Sequence, residues 1–258
     1  MNGAQLAPAF MIDEYYELRL YHMLPGRMPD FHDLMSNKVP AIFARSGIAE
    51  PLGFWEGYAG PIAPLFAYII PWRNLDDRMR AWKRFYADPE WTRELAANYA
   101  GQQRLDRSSI FILRPSPVWS GFKTAASSDP VDGIHEMRFH DVLNHDPSRA
   151  HTALAEIDIP FLAARGARVL GVFSTWFGTR MNQAITLLAW PNAATMQEAY
   201  REHITDAAIV SARETERRTY GRPLFRGVDV HIMRPLPYGI PRANLASQAQ
   251  TRLKPAGH

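Results

Sequence analysis

Hydrophobic and polar residues alternate along residues 15–23, with Leu18 and Leu20 opposite Glu17 and Arg19. A period of two predicts a half-buried strand. The period then changes, because Met28, Phe31, Met35, Val39 and Ile42 recur at helical spacing across 28–45. Pro40 predicts a kink in that helix and Gly47 its end. Residues 52–58 and 65–72 are aromatic and β-branched runs joined through AGPIAP, which reads as two strands. Asn74, followed by Asp76 and Asp77, reads as a helix cap with an acidic first turn. Leu75, Met79, Trp82 and Tyr86 supply that helix's apolar stripe, and SSIFILR at 108–114 closes the series as a strand.

The series then repeats. Glu17 and Arg19 recur as Glu136 and Arg138, Pro40 as Pro160, and Gly47 as Gly166. Trp72 and Asn74 recur as Trp190 and Asn192, and Arg114, Pro115 and Pro117 as Arg234, Pro235 and Pro237. The offset stays between 118 and 120 residues, so the chain holds two copies of one unit of ~100 residues. The second copy predicts strands at 134–142, 168–177, 182–190 and 226–234. It also predicts a helix capped by Asp146 with Pro147 behind it, a hairpin signal at GTR, and one long helix from Asn192 to Gly221. The units span 14–118 and 133–237. A small, polar linker covers 119–132, and a tail with few apolar residues covers 238–258.

Strand–helix–strand–strand–helix–strand is the ferredoxin-like order, an α+β unit with both helices on one face of an antiparallel sheet. The other face, rich in Trp and Tyr, must be covered. Two tandem units in one chain predict that the bare faces close a barrel, as an intramolecular pseudo-dimer. A pair of barrels swapped in a homodimer or higher homo-oligomer is the other solution.

Specific residues add a resemblance. YELRLYHMLPGRMPDF (16–31), GFWE (53–56), LDDRMRAW (75–82), DPEW (88–91) and ILRPSP (112–117) together resemble the NIPSNAP family, part of the dimeric α/β-barrel group. The second copy is similar more loosely, through HEMRFH, GTRMNQAITLLAW and IMRPLP. The Asn-Gln after the hairpin is present as Asn182-Gln183 but is replaced by Ala63-Pro64 in the first copy. DPEW has no recognisable counterpart in the second. The resemblance implies the fold and no defined reaction. It implies as an alternative the chemistry of the wider group, which includes cofactor-independent oxygenases and isomerases and haem-using relatives.

Composition narrows the classes. The chain has no cysteine, which excludes disulfides and cysteine-ligated zinc or iron–sulfur sites. With 47% hydrophobic residues and a net charge of +3, it does not read as disordered. No stretch approaches the ~18 apolar residues of a membrane span. The start, MNGAQLAPAFMIDEYYELR, lacks the basic region and apolar run of a signal peptide. The expectation is a soluble cytoplasmic protein. A charge of +3, with no basic-aromatic signature on the third strand, argues against nucleic acid as a partner. Phosphate-cradling loops, G-x-S-x-G and zinc-type histidine spacings are absent, and neither a metal nor a resident cofactor is predicted.

Of 29 basic residues, 25 are Arg, the side chain best suited to buried carboxylate pairs. Glu17 and Arg19 share one strand face, as do Glu136, Arg138 and His140. Leu18, Leu20, Met137 and Phe139 take the opposite face, expected under the helices. First and last strands are neighbours in this unit, so Arg114 and Arg234 are expected to reach Glu17 and Glu136. Stacked sheets would gather these two Glu and four Arg in one interior. The plain outcome is a self-satisfied ion-pair network. The functional outcome is a surplus of Arg charge that binds a small anionic or apolar carboxylate ligand. His140 replaces Tyr21 of the first copy and is the first catalytic candidate, an acid/base group titrating near neutral pH. The second copy is expected to hold the more polar pocket, lined by Arg138, His140 and either Asn182 or Gln183, with Trp190 among its apolar walls.

Overall fold

The computed structural model describes residues 15–118, 132–143 and 147–239. Asp146, most of the linker and the tail beyond Gly239 lie outside the described residues. The first half contains β1 (Tyr15–Met23), α1 (Met28–Asp33), α2 (Val39–Ser46), β2 (Gly53–Ala59), β3 (Leu65–Trp72), α3 (Leu75–Tyr86), α4 (Pro89–Tyr99) and β4 (Leu105–Pro115). The second half contains β5 (Ile134–Val142), α5 (Pro147–Ala153), α6 (Ile159–Ala163), β6 (Arg168–Phe177), β7 (Gln183–Trp190), α7 (Ala193–Thr205), α8 (Ala207–Tyr220) and β8 (Phe225–Pro235).

The kink expected at Pro40 takes a definite form. A π-helical segment, Leu34–Lys38, joins α1 to α2, and Leu154–Asp158 does the same before Pro160. Proline has no N–H and its ring collides with the carbonyl four residues back. Widening the preceding turn by one residue relieves that collision. Gly47 ends α2 at φ 76°, as its lack of a side chain allows. Asn74 and Asn192 cap α3 and α7, accepting from Asp77 N at 2.8 Å and Thr195 N at 2.9 Å.

The long helix expected from Asn192 to Gly221 is two helices. Asp206 stands extended between them and accepts from Ala208 N and Ile209 N at 2.9 and 3.1 Å. Asp88 does the same for α4, a helix the sequence pattern did not predict, through Glu90 N and Trp91 N. Asp206 is therefore the counterpart of DPEW: the Pro and Trp are gone, and the cap survives.

The eight strands close into a barrel in the order β1-β3-β2-β8-β5-β7-β6-β4, each antiparallel to both neighbours. Each half is a ferredoxin-like sheet. The seams β2–β8 and β4–β6 join the halves, so the pseudo-dimer forms within one chain and leaves no open edge. Leu18, Leu20, Met137 and Phe139 pack inside the barrel with Trp55 and Met233. The expected faces are thus reversed: Glu17, Arg19, Glu136 and Arg138 lie under the helices and not in the barrel. The physical reason is partner supply. α3 and α7 bring indole, guanidinium and phenol donors to the carboxylates, whereas the interior is lined mainly by apolar side chains from both sheets. Among the described residues, no helix is long and apolar enough to cross a membrane.

Candidate functional site

The outer face of the first sheet shows the packed version of the site. Glu17 is fully buried and accepts from Arg19 Nε at 2.8 Å. It also accepts from Arg78 Nε and Nη2, Trp72 Nε1 and Trp82 Nε1, each at 2.9 Å. Burial would raise its pKa, but Arg19, Arg78 and Trp82 together hold it below the usual carboxylate value. The Arg19 guanidinium lies 3.8 Å over the Trp82 ring and donates to Tyr21 Oη at 3.1 Å. Burial opposes its charge, yet Tyr21, Tyr68 and Glu17 keep it firmly protonated. Aromatic rings fill the remaining space: Tyr68 lies 5.5 Å from Tyr21 and 6.4 Å from Phe43, centroid to centroid.

The second sheet repeats the scheme with smaller residues. Glu136, also fully buried, accepts from Arg138 Nε and Trp190 Nε1, both at 3.0 Å, and from Tyr200 Oη. Arg138 lies 3.7 Å over the Tyr200 ring, so Tyr200 of α7 takes the part of Trp82. Strand register fixes the other equivalences. Arg19 faces Tyr68 as Arg138 faces Thr186, and Tyr21 faces Phe66 as His140 faces Ala184. At the helix ends, Ile48 N bonds Phe43 O as Ala167 N bonds Leu162 O. Three rings, Tyr68, Phe66 and Phe43, have thus become Thr186, Ala184 and Leu162.

Their loss opens a cavity of about 330 Å3 between sheet and helices. Arg138, His140, Thr186 and Tyr200 give it polar atoms, and Leu154, Leu162, Leu188 and Ile204 give it apolar surface. Asp158, also on its lining, accepts from His203 Nε2 at 2.8 Å and pairs with Arg213, which also binds Glu216. Burial pushes the Asp158 pKa up, and His203 and Arg213 more than reverse it. His140 bonds Thr186 Oγ1 through Nε2 at 3.2 Å. Burial first, and then the Arg138 charge, push its pKa down to about 3. This direction runs against the expected titration near neutrality, since the neighbouring Glu136 is bonded to Arg138, Trp190 and Tyr200 and not to His140.

Several expected members stand elsewhere. Arg114 does not meet Glu17, because the register sets Glu17 opposite Ile112. Arg114 instead lies 4.0 Å over Trp176 and donates to Tyr15 Oη at 3.4 Å, at the β4–β6 seam. Arg234 does not meet Glu136. It pairs with Glu56 at 2.6 Å across the β2–β8 seam, where His32 bridges Glu56 and Tyr238. Gln183 faces the barrel interior and donates to Asp141 Oδ1 at 2.7 Å, while Asn182 sits in the turn at φ 58°. Neither lines the cavity. Val142 N bonds Asn182 O as Met23 N bonds Pro64 O, so the counterpart of Asn182-Gln183 is Pro64-Leu65, one residue on from Ala63-Pro64. Trp190 anchors Glu136 and does not line the cavity. Sequence reading missed Thr186, Tyr200, Asp158, His203 and Arg213. Their signal was a position-by-position comparison of the halves, in which rings shrink on one side only.

Two of the arginines on the cavity are already matched by carboxylates: Arg138 by Glu136, and Arg213 by Asp158 and Glu216, while Arg226 stands at the exposed rim. Among the described residues, no group of three or more His, Asp or Glu could hold a metal.

A closed barrel made of two ferredoxin-like halves, each with helices over its outer face, defines a dimeric-type α/β-barrel protein folded from a single chain. Residues 16–120 match the model of the NIPSNAP family. An uncharacterized NIPSNAP-like domain protein from Burkholderia xenovorans is 25% identical over 41% of this chain and 87% of its own, with a TM-score of 0.36. Two solved structures align along most of the chain. A putative monooxygenase from Lactobacillus acidophilus NCFM has 12% identity, covers 90% of this chain and 97% of its own, and gives a TM-score of 0.52. An anthrone oxidase-like protein has 15% identity, covers 87% and 92%, and gives 0.53. At these identities they share the fold alone. No curated protein matches the chain.

Proposed function

We propose that the second half binds a small neutral ligand with an apolar body and one carbonyl or hydroxyl oxygen. The observation behind this reading is the cavity of about 330 Å3 that replaces the rings of the first half. Its volume falls at the lower end of small-molecule sites, and its mix of apolar wall and few polar groups is typical of them. Arg138 offers donors to the oxygen, His140 presents Nδ1 as donor or acceptor according to its tautomer, and the leucines take the body. Because Arg138 and Arg213 are already paired to carboxylates, the reading turns the expected anion into a neutral ligand: a carboxylate inside would lose its hydration and meet only arginines that are already matched.

An oxygenase or isomerase, the alternative that the two fold neighbours bring to mind, would need His140 as its acid or base. With its pKa near 3, His140 is a neutral and weakly basic imidazole at pH 7, which favours binding over proton transfer. Haem, the cofactor of that alternative, does not fit these residues. The two imidazoles that line the cavity, His140 and His203, spend their Nε2 atoms on Thr186 and Asp158.

Calorimetric titration with acetophenone and with benzoate tests the reading. Wild type should bind acetophenone at least tenfold more tightly than benzoate. Thr186→Tyr, which imports the residue of the first half, should lose binding without loss of thermal stability. Tighter binding of benzoate, or unchanged acetophenone binding in the variant, contradicts it.

A further inference from the structure

A smaller cavity of about 80 Å3 lies at one mouth of the barrel, on the sheet face opposite the ligand cavity. Both halves contribute matching positions to this region. Leu18 faces Phe111 as Met137 faces His231, and His22 faces Leu65 as Asp141 faces Gln183. The first half therefore places Leu65 and Phe111 where the second places Gln183 and His231. Exchanging an aliphatic and an aromatic side chain for an amide and an imidazole, both inside a barrel, costs stability unless their polar atoms find partners.

Within the protein they do not. Gln183 is 2% exposed and His231 3%, and Gln183 Oε1 and His231 Nδ1 have no hydrogen-bond partner. Both residues line this same cavity. Gln183 Nε2 is committed to Asp141, so the amide is held with its oxygen free. Arg180 stands half-exposed on the lining and bonds Asp141 Nη1-to-Oδ2 at 2.8 Å, and Asp229 besides.

We infer that this mouth binds a small neutral hydroxylic molecule, bridging Gln183 Oε1 and His231 Nδ1. The amide oxygen only accepts, so the occupant must donate; a hydroxyl can also accept from or donate to the imidazole nitrogen. Two aspartates sharing one arginine leave no attraction for an anion. At about 30 Å3 per water the space admits two or three waters or one short alcohol. Water and alcohol share this chemistry, and the experiment separates them.

Crystals of the full chain, untreated and soaked in ethanol, are compared at high resolution. Density within hydrogen-bond distance of both atoms is expected in the untreated crystal. After the soak, either retained water or ethanol in its place fits the site and tells which occupant it prefers. A mouth without density, or a rotated Gln183 or His231 bonded to protein atoms, overturns the inference. Gln183→Leu with His231→Phe copies the first half. Crystals of this variant should show no density at the mouth; density that stays in place with neither polar atom present also overturns the inference.

Discussion

Glu17 and Glu136 are carboxylates with no exposure, and each survives on charged and aromatic donors from its own sheet and from the helix above it. Trp82→Phe removes one donor from Glu17 and should cost about 1.5–3 kcal/mol in urea unfolding, the range for hydrogen bonds to charged groups. Acid stability follows from buried histidines as well as carboxylates. His140 and His151 have folded pKa values near 3 and 4, set by burial and, for His140, also by Arg138. Asp158, Arg213 and His151 are the other charged or titratable groups acting on His140. The unfolded chain takes up these protons below about pH 6.5 while the folded chain does not. Stability should therefore be full above pH 7 and fall as the pH drops toward 4. Glu17 and Asp158, depressed when folded, add a loss that sets in below the ordinary carboxylate value. His140→Tyr removes one proton from the slope, so its stability should fall less steeply between pH 6 and 4, by about 1.4 kcal/mol per pH unit. Identical slopes in both proteins would show that His140 titrates normally. At this scale, alternation told which residues share a face. It did not tell which face meets the helices, because Leu18 and Leu20 suit a barrel interior as well as a helix layer.

Among the elements, the strands and the Asn74 and Asn192 caps were legible, since each depends on a few adjacent residues. The break at Asp206 was not. Ala207, Ala208, Ile209 and Val210 follow it without Pro or Gly, so helical character runs across the break and the aspartate is the whole signal. Asp206→Ala should cost about 1 kcal/mol by loss of its two cap bonds, read as a lower thermal midpoint. A variant as stable as wild type would show that α7 and α8 do not depend on that cap. The π-helical segments were legible only as kinks, because Pro40 and Pro160 forbid a regular turn without specifying which irregular one replaces it. The seam roles of Arg114 and Arg234 were hidden for a related reason. Adjacency of first and last strands is a property of the fold, whereas which residues meet is set by register and by the neighbouring half.

The whole molecule is one barrel built from two diverged copies. The first packs the space beside Arg19 with rings and keeps a separate cavity of about 300 Å3 along α2, lined by Val39, Phe43 and Tyr238; the second opens the space beside Arg138. This asymmetry was expected from His140 and from Asn182-Gln183, but it rests on contracted side chains at Thr186, Ala184 and Leu162. Refilling the space should reverse it: Thr186→Tyr with Leu162→Phe should raise the thermal midpoint, as filled cavities generally do when shape permits, and should abolish binding. A lowered midpoint would show that the second half cannot accept the packing of the first. The most direct test is a crystal structure of the protein soaked with acetophenone. Difference density is expected between β5, β7 and α7, with the carbonyl oxygen near Arg138 and His140, and none there in Thr186→Tyr. Density over the first half alone, or a cavity that stays empty at saturating ketone, would contradict it.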